Sequence, residues 1–188
     1  GITSRAETLV DNYGDLPSPK AYEKDEVIIG GNMVRWYGGF DSYIIAQEFG
    51  VPISAPSMGR KIDREDEMDI NHFPYMTWVE WINNLGQFKY GVHLMPTHAA
   101  GTFTLNCAFH GIPCIGYRGL DTQQELHPLL SVDDGDLESA KKMAIQLRDD
   151  DDFYSERSLS CRENYVQSLY NEKNFITYIT KIFESLNG

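Results

Sequence analysis

The stretch from His98 to Pro113, HAAGTFTLNCAFHGIP, with Asp121-Thr122-Gln123 following it, has the residue types and order of an anion site. An apolar run ending at Leu94-Met95-Pro96 meets a loop of small residues. A helix then starts with Gly101 and Thr102 in its first turn, and Gly111-Ile112-Pro113 turns the chain into the next apolar run. Backbone N–H groups at a helix start lack intrahelical partners and carry the positive end of the helix dipole. A phosphate is therefore stabilised there without a nearby Lys.

A second glycine-rich turn lies earlier. Gly30-Gly31-Asn32 closes an apolar run, and Gly38-Gly39 opens the next helix after Arg35-Trp36-Tyr37. Glycines let a ligand approach the backbone closely. Arg35, between the two glycine pairs, can meet a phosphate or a surface carboxylate. The pattern is not GxGxxG, and Ser54-Ala55-Pro56 stands where a dinucleotide fold places an acid for the ribose, which counts against NAD. His72, His93, His110 and His127 have no metal-ligand spacing. The acids at 63, 65, 66, 67 and 69 lack the turn glycine and closing Glu of a calcium loop, so they read as a solvated connection. There is no Ser-His-Asp order, Walker lysine motif or metalloprotease helix.

The elements that position these residues alternate. Residues 1–24 read as a polar lead-in arm, and Glu26 to Gly31 as a buried strand. Asp41 caps a helix through Phe49 with Phe40, Tyr43 and Ile44 inward, and Gly50 stops it. Residues 51–55 give a second strand, with Pro52 at its start or near an edge. Residues 59–72 form a charged connection. Thr77 then caps a helix through Leu85, in which Trp78 and Trp81, one turn apart, form a core stripe. Strands follow over 90–95 and 113–117, with a helix over 102–109 between them. A short helix at 123–125 leads to a possible strand at 129–132, and Asp136 starts a helix through Leu147. The remainder reads as helix, its apolar positions being Leu159, Tyr165, Leu169, Phe175, Ile179 and Phe183, with Asp152 capping after a break at Asp149–Asp152. Such alternation implies a parallel sheet covered on both faces, with ligands at the carboxyl ends of the strands.

The chain has 188 residues, enough for one ordinary domain with a full core. A net charge of -12, without clustered Lys and Arg, argues against a nucleic-acid surface. Cys107, Cys114 and Cys161 form no CxxC pair and read as buried reduced thiols. No apolar run reaches the ~18 residues that span a bilayer, and no signal-peptide pattern opens the chain, so a cytoplasmic protein is expected. The chain begins at Gly1-Ile2-Thr3 without an initiator Met, as a fragment would.

The segment from His98 through Gln123 resembles the donor-binding half of glycosyltransferases of the GT-B class. In their retaining branch a Glu, seven residues and a second Glu precede Gly-x-Pro; here the spacing is His98, seven residues, Asn106, then Gly111-Ile112-Pro113. The plant-metabolite branch begins instead with His and ends with Gln ten residues past the Pro, as His98 and Gln123 do. Asn32 to Asp41, NMVRWYGGFD, is similar to a first-loop pattern containing Lys-Gly-Phe-Asp, with Gly38 in place of that Lys. Residues 74–78, PYMTW, stand where the family's base-contacting loop does, and the ending resembles its closing helices.

The resemblance implies a Rossmann-like α/β fold, a parallel sheet with helices on both faces and a helical C-terminal tail, over residues 25–188. It implies a nucleotide-diphosphate sugar as ligand. Gly31, Asn32, Arg35, Gly101, Thr102 and Phe103 would hold the diphosphate, Asn106 the ribose, Asp121 and Gln123 the sugar, and Tyr75 and Met76 the base. His98 would stand beside the reacting centre. Neither metal nor organic cofactor is expected, and an N-terminal acceptor-binding domain would be the partner. A non-catalytic nucleotide or sugar-phosphate module, a nucleotide-sugar epimerase and an NAD-linked enzyme remain as alternatives.

Overall fold

The computed structural model describes residues 22–31, 33, 37–56, 65–97 and 101–186. Val27, Ile28 and Ile29 are fully buried, as a parallel strand covered on both faces requires. They belong to β1 (Lys24–Ile29), followed by β2 (Ile53–Pro56), β3 (Asn71–Phe73), β4 (Phe88–His93), β5 (Cys114–Tyr117) and β6 (Ser131–Val132). All pair in parallel, in the order β3-β2-β1-β4-β5-β6. The order reverses between β1 and β4, so the connections after these two strands diverge and leave a crevice at their carboxyl ends.

The helices are α1 (Gly39–Ala46), α2 (Trp78–Leu85), α3 (Thr102–His110), α4 (Asp121–Leu126), α5 (Leu137–Asp149), α6 (Asp151–Gln167) and α7 (Glu172–Leu186). One face of the sheet, with Val27, Ile29, Tyr90, Val92, Ile115 and Tyr117, packs on Ile45, Ala46 and Phe49 around α1 and on Ala140, Ala144 and Leu147 of α5. The other face buries Ile28, Phe88 and Cys114 against Phe103 and Cys107 of α3 and Leu85 of α2. On its far side α3 sets Leu105, Ala108 and Phe109 against Cys161 and Tyr165 of α6. Every residue from Phe103 to Phe109 is buried, which explains why this helix has no polar stripe. Its close approach needs small residues on the sheet. A Cβ on Gly91 would lie 3.1 Å from the Cys107 Sγ, and one on Gly116 would lie 2.5 Å from the Gln123 Oε1.

Two expected caps recur with their hydrogen bonds, whereas α1 starts after Gly38 without a side-chain cap and Asp41 lies in its first turn. The Thr77 and Glu80 side chains form a reciprocal capping box at α2, and Asp136 accepts from the Ser139 amide at α5. All three cysteines are free and buried. Burial raises the Cys107 and Cys161 thiols well above their ordinary range, which leaves them unreactive.

Four expectations need correction. The inner face of α1 is Ser42, Ile45 and Ala46; Phe40 is 53% exposed, and Tyr43 and Ile44 are half-buried. The charged connection contains a strand, since β3 pairs with β2 through Ser54 and Asn71. Within it Glu65 is buried, 3.2 Å from the His72 Nε2. The cap of α6 is Asp150, which accepts from the Phe153 amide, two residues earlier than the Asp152 cap expected. In the tail, Tyr165 is buried as expected, but Leu159, Leu169 and Phe183 are exposed. The inward positions of α6 are instead Arg157, Cys161, Arg162 and Tyr165.

Gly38 fixes the start of α1. Its φ of 63° is left-handed, and a Cβ there would lie 1.7 Å from the Leu94 carbonyl oxygen. The Ser42 hydroxyl donates to the Gly38 carbonyl at 2.8 Å and accepts from the Leu94 amide at 2.9 Å. Gly38→Ala adds backbone strain to a clash with main chain, so we expect a loss of about 2–6 kcal/mol. Ser42→Ala leaves the buried Leu94 amide without a partner, while the Gly38 carbonyl keeps its bond from the backbone amide of residue 42, and should cost about 1–3 kcal/mol. Urea unfolding of both variants checks the order; a Gly38→Ala chain as stable as the parent would remove this contact from the account.

Candidate functional site

Parallel pairing puts the carboxyl ends of all six strands along one edge. Gly30 and Gly31 leave β1 there, Leu94 to Thr97 leave β4, Arg118 to Leu120 leave β5, and Tyr75 and Met76 follow β3. Gly101, which precedes α3, is held firmly. Its carbonyl accepts from the Thr104 hydroxyl at 2.8 Å, the Thr122 hydroxyl at 2.9 Å and the Leu105 amide at 3.2 Å. The two hydroxyl oxygens lie 2.8 Å apart, so either can donate to the other in place of the carbonyl. A Cβ on Gly101 would sit 2.4 Å from the Thr122 Oγ1, so glycine is required.

The helical ladder of α3 thus begins with Leu105, and no side chain caps the helix. Among the described residues, the amides of Thr102, Phe103 and Thr104 have no internal acceptor. That arrangement is an anion cradle whose direction is set by the pinned Gly101.

Two buried polar atoms lie close by. His93, at the end of β4, is only 5% exposed, and its Nδ1 has no hydrogen-bond partner. Its ring meets the Phe103 ring edge-on at 5.1 Å, and a Cβ on Gly30 would touch its Cγ and Cδ2 at 2.8 Å. Asn106, one turn further along α3, is 2% exposed with its Oδ1 unsatisfied. Buried polar atoms without partners are rare enough to mark a place where something else completes them.

Of the residues singled out in the sequence, Gly31, Gly101, Thr102, Phe103, Asp121, Tyr75 and Met76 all lie along this edge. Gly31 has a left-handed φ of 78°, Asp121 is exposed in the first turn of α4, and Tyr75 is 87% exposed. Asn32, Arg35 and His98 lie outside the described residues. Gln123 does not reach the crevice surface. It is fully buried, and its Nε2 donates to the Cys114 carbonyl at 2.9 Å and the Leu130 carbonyl at 3.2 Å. These bonds join β5 to the turn before β6, while its Oε1 is buried without a partner.

Sequence reasoning passed over His93, Thr122 and Ser42. A His between Val92 and Leu94 at the end of a buried strand was the available signal for His93, though it was weighed only as a metal ligand. Among the described residues, no cluster of three His, Cys, Asp or Glu could hold a metal ion.

No family profile matches the sequence, and no curated protein matches it. Solved structures do match. AviGT4, a glycosyltransferase of avilamycin A biosynthesis, superposes with a TM-score of 0.65 at 15% identity, over 99% of this chain and 63% of its own. WaaG, a glycosyltransferase of lipopolysaccharide biosynthesis, gives 0.63 at 11% identity, over 89% of this chain and 49% of its own. HepE from Anabaena, in complex with UDP and glucose, gives 0.64 at 9% identity, over 98% and 52%.

The chain has the fold of a GT-B glycosyltransferase domain. It spans 37% of the length of TarM and 63% of that of AviGT4. Within the GT-B fold, the glycine at position 38 is explained by packing: any side chain there would strike Leu94. Among the described residues, no helix is long and apolar enough to cross a membrane.

Burial sets the charge of three histidines, one of them at the site. His93, His110 and His127 are each lowered to about 4, chiefly by desolvation of the charged form. The unfolded chain takes up these protons from about 6.5 downward, whereas the fold resists until about 4. Folding stability is therefore complete above pH 6.5 and falls as the pH drops toward 4, by about 3 kcal/mol per histidine. We expect the three side-chain resonances to stay in their neutral positions to below pH 5 in NMR titration. A midpoint near 6.5 for any of them would contradict its burial.

Proposed function

We propose that this chain is the donor-binding half of a glycosyltransferase, holding a nucleotide-diphosphate sugar while a second domain presents the acceptor. The observation that carries the reading is the uncapped first turn of α3, with its three open amides fixed in direction by Gly101. These amides, with Gly31, Asn32 and Arg35, take the diphosphate. As the sugar departs, negative charge builds on that diphosphate. Fixed dipoles aimed at it lower the barrier without having to reorganise.

The remaining roles follow from chemistry and place. The unsatisfied Oδ1 of Asn106 accepts from a ribose hydroxyl, and the exposed Asp121 carboxylate accepts from sugar hydroxyls. Tyr75, with Met76, offers an open aromatic face to the base. The sequence resemblance gives His98 a role at the reacting centre. Free buried thiols suit a cytoplasmic setting. HepE was crystallised with UDP-glucose, which makes uridine nucleotides the first probes to try.

A non-catalytic nucleotide or sugar-phosphate module is the second reading. It is favoured by His98 and Asn106 standing where the retaining GT-B pattern has two Glu.

The acceptor domain has a waiting contact in α7. None of its residues is buried, yet Ile176, Ile182 and Leu186 carry exposed apolar side chains along its length. A 15-residue helix is marginal in water by itself, so a partner surface is needed to hold it. In the 188-residue chain alone, α7 amides should exchange with solvent orders of magnitude faster than those of α3. Equal protection would show that α7 needs no partner.

Thr102→Pro tests the cradle. Proline is well accepted at the first position of a helix, so the fold should survive while one amide is lost. Calorimetry with UDP, GDP and ADP should show the preferred diphosphate binding about 1–3 kcal/mol more weakly to the variant. Unchanged affinity in a folded variant would sink the cradle. Sugar transfer by the complete protein separates the enzyme from the module.

A further inference from the structure

The three buried histidines of this chain are held differently. His127 is tied at both nitrogens, its Nε2 3.0 Å from the Thr104 carbonyl and its Nδ1 accepting from the Cys114 amide at 3.4 Å. His110 bonds the Ile82 carbonyl, although its Nε2 is buried without a partner. His93 has no such anchor: its Nδ1 is buried and without a partner, and desolvation alone accounts for its neutrality. A histidine with this environment is not explained by packing, because an apolar ring would fill the same space without leaving a nitrogen unsatisfied.

Its position indicates what completes it. β4 presents Gly91 and His93 to the α3 side of the sheet, Gly91 facing Cys107 and His93 facing Phe103. The Phe103 amide is one of the three open donors of the cradle. The other wall is Gly30, at the end of β1, so the imidazole lies between the two strand ends that form the crevice.

We propose that His93 is a further ligand-binding residue of this crevice, donating a ring N–H to a phosphate oxygen of the nucleoside diphosphate held at the first turn of α3. The inference rests on the donor-site reading and adds to it a neutral side-chain donor beside the backbone amides. Rotation about the Cβ–Cγ bond exchanges Nδ1 with Cδ2, the edge now against Gly30, and so turns the nitrogen toward the β1 turn without changing the volume filled.

The test uses the 188-residue chain with UDP, GDP and ADP in turn, together with the parent nucleosides. His93→Phe keeps a ring and removes the nitrogens, whereas His93→Gln keeps a donor. We expect His93→Phe to bind the preferred diphosphate ~10-fold more weakly, the nucleoside with unchanged affinity, and His93→Gln to recover part of the loss. In the wild-type chain, the His93 ring nitrogens should shift on titration with the diphosphate but not with the nucleoside. Equal diphosphate affinity in His93→Phe, or ring nitrogens that stay put in a chain that binds, overturns the role of His93 alone. If His93→Phe does not fold, the wild-type nitrogen titration decides. A wild-type chain that ignores every diphosphate overturns the donor-site reading itself, which is a separate result.

Discussion

Main chain resting on main chain at the head of the crevice is the constraint on which the other features depend. Gly38 lies against the Leu94 carbonyl so closely that no side chain fits, and Ser42 bridges the Gly38 carbonyl to the Leu94 amide. The turn after β1 and the exit of β4 are thereby fastened together where the strand order reverses. Without that fastening the two walls of the crevice would be independent loops. With it, the Gly30–Gly31 turn, His93 and the first turn of α3 form a single surface.

The same logic of close approach continues into the second wall. Gly101 has its carbonyl turned inward to three donors, which leaves the following amides aimed outward. Thr122, from the helix after β5, is one of those donors, so the third loop of the crevice is tied to the cradle as well. Gln123, its neighbour, joins β5 to the turn before β6. Adjacent residues on one short helix thus stabilise two different parts of the site without contacting a ligand.

Much of this was legible in the sequence, for reasons specific to each element. The buried runs at 26–31 and 113–117 announced parallel strands because they are apolar on both faces, and Thr77 and Asp136 announced helices because their side chains bond the first turn. What escaped was whatever depended on a partner distant in sequence. β3 is three residues long, paired on one side only, and reads as polar. Ser42 is buried and Phe40 exposed because a hydroxyl is needed between Gly38 and Leu94, which no periodicity records. In α6 the inward side chains include two arginines, whose guanidinium groups lie 5.1 Å from the Phe153 ring centre and 5.5 Å from that of Phe109, so an apolar stripe was the wrong signal to follow. The burial of Gln123 escaped similarly, since residue type alone does not say whether an amide faces solvent or carbonyls.

The burial of α3 on every side has a consequence for how this protein could register that its crevice is filled. A helix gripped by the sheet through Phe103 and Cys107 and by α6 through Leu105 and Phe109 is part of a close-packed interior, and such interiors deform little. The anchor is therefore stationary, and occupancy must be communicated by whatever is attached less tightly. Of the helices, α7 alone has no buried residue, so it is the natural lever. An arrangement with a fixed grip and a movable arm divides holding from signalling, and lets either change in evolution without disturbing the other.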